Sequence, residues 1–164
     1  MATLELAKQA PSPSGAASRS AVVSDETKDV FVTLTVGGQL CGIPVLVVRD
    51  VLGPQVITRI PLAPREVAGS LNLRGRIVTA IDLHTRLGLE RADPRRAMSV
   101  VVEHQGELYS LLVDQVGEVL RLDPELREEN PPTLDARWRA LSKGVFRLSG
   151  QLVVVLDVAA ILTI

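Results

Sequence analysis

The stretch GGQLCGIPVLVVRDVL (residues 37–52) returns 68 positions later as QGELYSLLVDQVGEVL (105–120). Gly38, Leu40, Ile43, Val45, Val48, Val51 and Leu52 of the first fall on Gly106, Leu108, Leu111, Val113, Val116, Val119 and Leu120 of the second. A second block, GSLNLRGRIVTAIDL (69–83), is answered 75 positions later by GVFRLSGQLVVVLDV (144–158), with Gly69, Leu73, Gly75, Val78, Ile81 and Asp82 on Gly144, Leu148, Gly150, Val153, Leu156 and Asp157. The blocks run A, B, A, B. Any two Val- and Leu-rich runs resemble one another, but matched glycines and aspartates in two separate blocks mark an internal duplication.

Short apolar runs punctuated by glycine turns predict an all-β fold. Residues 30–36 and 39–43 read as a hairpin around Gly37-Gly38, and the second copy repeats it around Gly106. Arg74-Gly75 and Gly150 read as the turns of two further hairpins. Pro44 ends the second strand, and residues 45–52 and 56–60 read as two more extended runs. A helical turn is expected at 84–89, and a brief helix carrying Trp138 at 134–142. Asp82, Asp123 and Asp157 stand where they cap short helical turns. Two small barrels follow, one from each repeat (about 30–92 and about 98–158), packed across an apolar seam, with exchange of strands between them left open. Each copy, at about 60 residues, is near the lower limit for an independent core. Residues 1–29, with Pro11, Pro13, Gly15 and several serines and charges, read as a disordered tail before a domain at 30–164.

Composition narrows the function. The single cysteine, Cys41, excludes an internal disulfide and a thiolate metal cluster. No apolar run is long enough to span a bilayer and the start is not a secretory signal, so a cytoplasmic protein without membrane insertion is expected. Between residues 59 and 96 eight arginines face four carboxylates, while between 97 and 135 nine carboxylates face two arginines. Opposite fields on one small chain suit oriented docking with other proteins.

No catalytic constellation, metal site or cofactor is predicted. His84 and His104 have no second ligand at metal spacing. Cys41 reads as a buried small hydrophobe rather than a nucleophile. Asp82 and Asp157 form a carboxylate pair only if the repeats bring them together; otherwise both are caps. No phosphate-binding glycine loop is present. Arg59, Arg65, Arg74, Arg76 and Arg86 keep a nucleic-acid-binding barrel as the alternative of another class, although the interleaved aromatics of a stacking platform are missing. What remains is a binding surface: Arg74-Gly75-Arg76 holds two guanidinium groups on a rigid turn, and one of the adjacent Val47 and Val48 is expected outside.

The run GSLNLRGRIVTAIDLHTRLGL (69–89), above all Asn72-Leu73-Arg74-Gly75 leading into Ile81-Asp82-Leu83, resembles the CheW family of chemotaxis coupling proteins, as do FVTLTVGGQLCGIPVLVVRDVL (31–52) and SLLVDQVGEVLRL (110–122). The likeness extends from about residue 30 to 161. It implies two five-stranded SH3-like barrels and a non-enzymatic adaptor recruited to receptor arrays. The implied partners are the cytoplasmic tip of methyl-accepting receptors and the regulatory domain of the histidine kinase CheA. It places a receptor groove at positions including Val48, Gly69 and Arg74, and the kinase surface mainly on the second barrel, from near Met98. Core packing for Val48, a turn for Gly69 and a fold-fixing role for Arg74 are the competing readings. Thr79-Ala80 and His84 depart from the family's usual proline and arginine. The absence of receiver, kinase and phosphotransfer segments argues against CheV and CheA themselves, and a relative serving a non-flagellar pathway is an open alternative.

Overall fold

The structure, a computed structural model, describes residues 29–164; the expected tail lies outside them except for Asp29, which opens the first strand. Ten strands and three short helices follow: β1 Asp29–Val36, β2 Gln39–Pro44, β3 Val48–Leu52, β4 Val67–Leu73, β5 Arg76–Asp82, α1 Leu83–Arg86, β6 Met98–His104, β7 Glu107–Val113, β8 Gln115–Leu122, α2 Ala136–Ala140, β9 Ser142–Leu148, β10 Gln151–Leu156 and α3 Val158–Ile161. They form two five-stranded sheets, β8-β1-β2-β10-β9 and β3-β6-β7-β5-β4.

The expectation of one barrel per repeat is corrected by this order. Since β1 to β5 of the first copy correspond to β6 to β10 of the second, each sheet takes its first hairpin from one copy and its other three strands from the other. The exchange is reciprocal and the two strand orders are equivalent. It is made by four pairings between the copies, β2 with β10 and β5 with β7 in parallel and β1 with β8 and β3 with β6 antiparallel. The crossing explains a second correction. Residues 45–52 are not one strand: Pro44, at φ −56° and without an N–H, ends β2, and residues Val45–Val47 make a 3-10 turn closed by Val48 N–H to the Val45 carbonyl. That turn carries the chain from one sheet to the other. The expected strand at 56–60 shrinks to a single bridge, Thr58 with Ser70, and β4 begins at Val67.

Three apolar clusters fill the molecule. Phe31, Leu120, Leu122, Phe146, Val153 and Val155 fill the interior of the first sheet's barrel, the two rings tilted with centroids 5.8 Å apart. Leu71, Val78, Ala80, Ala97 and Leu112 fill the second. The largest cluster takes Leu34, Ile43, Val154 and Leu156 from one sheet, Val100, Val102, Leu111 and Val113 from the other, and Trp138, Val158 and Ile161 from the helices. It is the seam. Central strands therefore bury both faces, which is why Val153-Val154-Val155 has no polar alternation: Val154 faces the seam and its neighbours a barrel interior.

Four hairpins turn on pairs of left-handed residues: Gly37/Gly38 (φ 57°, 81°), Arg74/Gly75 (53°, 86°), Gln105/Gly106 (51°, 80°) and Ser149/Gly150 (50°, 76°). Two positive φ values are what a two-residue hairpin turn needs to match strand twist. The duplication is also written in two glycines outside turns. Gly69 (φ 150°) and Gly144 (φ 135°) sit at irregularities of β4 and β9. A Cβ on Gly69 would run into the Thr58 carbonyl, and one on Gly144 would lie 2.7 Å from the Glu128 carbonyl. These are the carbonyls of the two equivalent bridges, Thr58 with Ser70 and Glu128 with Val145. Gly69→Ala and Gly144→Ala are each expected to lose more than about 2 kcal/mol in urea unfolding, because strain and a backbone collision add. Gly53→Ala, at an open position with no positive φ, should change stability by less than about 0.5 kcal/mol.

Candidate docking surface

Asn72, Arg74 and Gly75 build one end of the surface. The Asn72 Oδ1 accepts the Gly75 N–H at 2.9 Å and pins the turn between β4 and β5. Arg74 projects from it, its side chain 80% exposed, and its Nη2 lies 3.3 Å from Asp50 Oδ2 on β3. In the sheet order β3 and β4 are opposite edges, so this ion pair spans the two ends of a sheet curled into a barrel. Asp50 is three-quarters covered and Arg74 is not. The pair orients a guanidinium that still faces solvent.

Val48 opens β3 opposite Val102, half-buried, and packs against the seam cluster. Val47 packs there too. The expectation that one of them stands outside is corrected: because residues 45–47 coil rather than extend, the outward apolar residue is Leu46, 83% exposed. Arg49 is the extra residue where the β3–β6 register slips between Val48 and Asp50. Its Nη1 donates to the Leu46 carbonyl at 2.8 Å and its Nε to Glu103 at 3.1 Å. Val51 and Ile77 are further exposed apolar residues on β3 and β5. The structure thus brings Arg74 to Asp50, two residues from Val48, beside a patch of leucine and valine. Gly69 is different. It is buried within β4 against Thr58 and Ile57, in a strand irregularity rather than a turn.

Asp50, Arg49 and Leu46 were passed over by sequence reasoning. A signal for Asp50 was present, since the duplication sets it opposite Glu118, so both copies carry a carboxylate at this strand position. Leu46 had none, because its exposure depends on the 3-10 turn.

Several of the remaining polar residues are occupied by structure. Asp82, buried, accepts from His84 N–H (3.0 Å), Thr85 Oγ1 (2.9 Å) and Ala92 N–H (3.1 Å), and Asp157 accepts from Ala160 N–H (3.3 Å); both cap helical turns. His84 Nε2 meets Asp114 Oδ1 at 2.7 Å and its Nδ1 meets the Glu90 carbonyl at 3.1 Å, while Asp114 Oδ2 accepts the Gly37 N–H at 2.8 Å. This chain straps the β1–β2 turn of one sheet to α1 beside the other. Part of the arginine-rich stretch is engaged by the fold as well. Arg74 is paired with Asp50; Arg86 donates to the Ala160, Ile161 and Thr163 carbonyls, capping α3; Arg91 reaches the Val67 carbonyl and lies 4.0 Å from Asp82. Among the described residues, no three histidine, cysteine, aspartate or glutamate side chains form a group suited to a metal ion. Cys41 is fully buried, and burial pushes its thiol well above the usual range, away from the thiolate that nucleophilic chemistry needs. An aromatic disulfide reagent in excess should leave Cys41 unmodified in native buffer and titrate one thiol in denaturant. Rapid native modification would show that β2 opens.

The CheW-like domain family model matches residues 30–164. The probable chemotaxis protein CheW of Rhizobium etli is 26% identical over 132 residues, 80% of this chain and 85% of that protein. The chemotaxis protein CheW of Klebsiella aerogenes is 27% identical over 150 residues, 91% and 90% of the two chains, and Protein PilI of Pseudomonas aeruginosa is 32% identical over 111 residues, 67% and 62%. The crystal structure of the scaffolding protein TtCheW from Thermoanaerobacter tengcongensis superimposes with a TM-score of 0.74 at 28% identity, over 84% of this chain and 94% of that one. A duplicated chain of two five-stranded barrels, with a family match running from its first strand to its last residue, belongs to the CheW-like family.

Proposed function

We propose that this protein is a non-enzymatic adaptor that couples methyl-accepting chemoreceptors to the histidine kinase CheA. Family membership and the relatives named for chemotaxis and scaffolding support a role in chemotaxis signalling. The observation that carries the site is the Arg74–Asp50 pair, which holds an exposed guanidinium over β3, the strand that follows the exposed Leu46 and carries the exposed Val51. A mixed patch of this kind fits a helical receptor tip: apolar side chains supply contact area, and a charge that is already oriented loses little entropy on binding. Val48 contributes through its half-buried face, and Gly69 indirectly, by allowing the close backbone approach of Thr58 that shapes β4. The kinase's regulatory domain is assigned to a separate surface built from residues beyond Met98. Receptor tip and kinase then bind together, at the cytoplasmic end of a receptor array; among the described residues no helix is long and apolar enough to cross a membrane. The PilI relative favours a second version of the same reading, a scaffold serving a different sensory pathway, which would show as retention of another receptor and kinase pair.

The test is co-sedimentation with a receptor cytoplasmic fragment and CheA, together with receptor-controlled kinase activity. Arg74→Ala should weaken receptor coupling about tenfold or more while changing folding stability by less than about 1 kcal/mol, as for an exposed ion pair. The charge-swapped double variant Arg74→Asp with Asp50→Arg should recover folding but not receptor coupling, since the guanidinium has moved to the other strand. Unchanged coupling in both variants would remove this pair from the site. Tight RNA binding that collapses with salt, with no retention by receptor or kinase, would replace the adaptor reading by the nucleic-acid one.

A further inference from the structure

A cavity of about 570 Å³ lies where α1, α2 and α3 meet, lined by Glu66, Thr85, Arg86, Arg137, Leu141 and Thr163 among others. It is of ordinary small-ligand size, and none of Val48, Asp50 and Arg74 lines it. Its polar groups are arranged as donors and acceptors with capacity left over. Arg86 is fixed by donating Nε to the Ile161 carbonyl and Nη2 to the Ala160 and Thr163 carbonyls, each at 2.9 Å, and its Nη1 has no acceptor. The Arg137 side chain lies across Gly88, where any Cβ would come within 2.7 Å of Cδ and 2.8 Å of Nη1. Its guanidinium makes no hydrogen bond or ion pair with a described residue. The half-buried Glu66 side chain has none either. Thr85 Oγ1 donates to Asp82 at 2.9 Å and Thr163 Oγ1 to the Ala159 carbonyl at 2.8 Å, so both hydroxyls meet the cavity as acceptors.

Two guanidinium groups with unused N–H donors call for an oxyanion, and their excess over Glu66 leaves one positive charge for it to balance. A lone carboxylate and two spent hydroxyls on the same wall call for a ligand that also donates. We infer that this cavity binds an oxyanion carrying its own hydroxyl: hydrogen phosphate, or the phosphate of a small hydroxylated ester. Arg86 and Arg137 take the charged oxygens, Glu66 accepts from the hydroxyl, and Leu141 forms part of the apolar wall. An oxyanion with no proton to give meets Glu66 as a like charge and is rejected.

The experiment titrates the full chain at pH 7 and constant ionic strength with inorganic phosphate, sulfate and glycerol phosphate. Melting temperature and amide chemical shifts are followed together. Phosphate should raise the melting temperature with saturation, with sulfate at least tenfold weaker, and shifts should centre on Thr85, Leu141 and Thr163. Glycerol phosphate binding more tightly than inorganic phosphate assigns the site to an ester; the reverse assigns it to the free ion. Arg137→Ala should leave the anion-free melt unchanged and weaken phosphate about tenfold. Glu66→Gln, which offers an N–H in place of a charge, should bring sulfate within about threefold of phosphate. Equal responses to phosphate and sulfate in the native chain, an undiminished response in Arg137→Ala, or shifts centred elsewhere would each overturn the assignment.

Discussion

The rest of this fold depends on two parallel strand pairings, β2 with β10 and β5 with β7. Each joins a hairpin of one repeat to the last strand of the other, so neither sheet can be completed by one copy of the duplicated sequence. Parallel pairing demands a long connection, and here the chain runs from Pro44 to Gln151 between β2 and β10 and from Asp82 to Glu107 between β5 and β7. Ordering that much chain before the pairing forms is costly in entropy, and the return is burial of both faces of the central strands. The seam cluster, drawn from both sheets and all the helical turns around Trp138, Leu83 and Ile161, exists only because the two barrels are built from each other.

The proposed docking surface inherits its geometry from that exchange. After β2 the chain has to leave its sheet, and the 3-10 turn at Val45–Val47 is how it leaves. The turn puts Leu46 outward and starts β3 as an edge strand, short and interrupted at Arg49, two features that protect an exposed edge from unwanted pairing. Across the curl of the sheet the β4–β5 turn then delivers Arg74 to Asp50. A left-handed arginine in a hairpin turn is held at some conformational cost, and here the turn pays it where the side chain is wanted. Some of the charges that the sequence leaves looking like a basic stripe are consumed by this architecture: Arg86 ends α3 and Arg91 leans on β4.

What was legible in the sequence was local or periodic. The repeat, the glycine turns, the aspartate caps and the burial of Cys41 follow from spacing and residue chemistry, and the family resemblance rests on the Asn72-Leu73-Arg74-Gly75 turn and the strands around it. Partner choice between strands was not legible. Because the two copies have nearly equivalent hairpins, the pattern of apolar residues is satisfied whether β1 and β2 join their own repeat or the other; only the connection lengths and the seam decide it. The same ambiguity hid Asp50, whose role depends on a turn that is distant in the strand order, and Leu46, whose exposure depends on a helical turn where alternation predicted a strand. Gly69, offered as a groove residue by the family resemblance, is held in the structure by a close backbone approach to Thr58 that no spacing rule reveals.

The central claim is that the two repeats complete each other. Its most direct test is to express residues 1–96 and 97–164 separately and then mix them, following far-ultraviolet circular dichroism, amide dispersion and thermal melting. The account predicts that each fragment alone lacks a cooperative melt, and that an equimolar mixture regains the spectrum and a single transition of the intact chain. A dispersed spectrum and cooperative melting from either fragment alone would contradict it, because that fragment would have closed a barrel from its own strands.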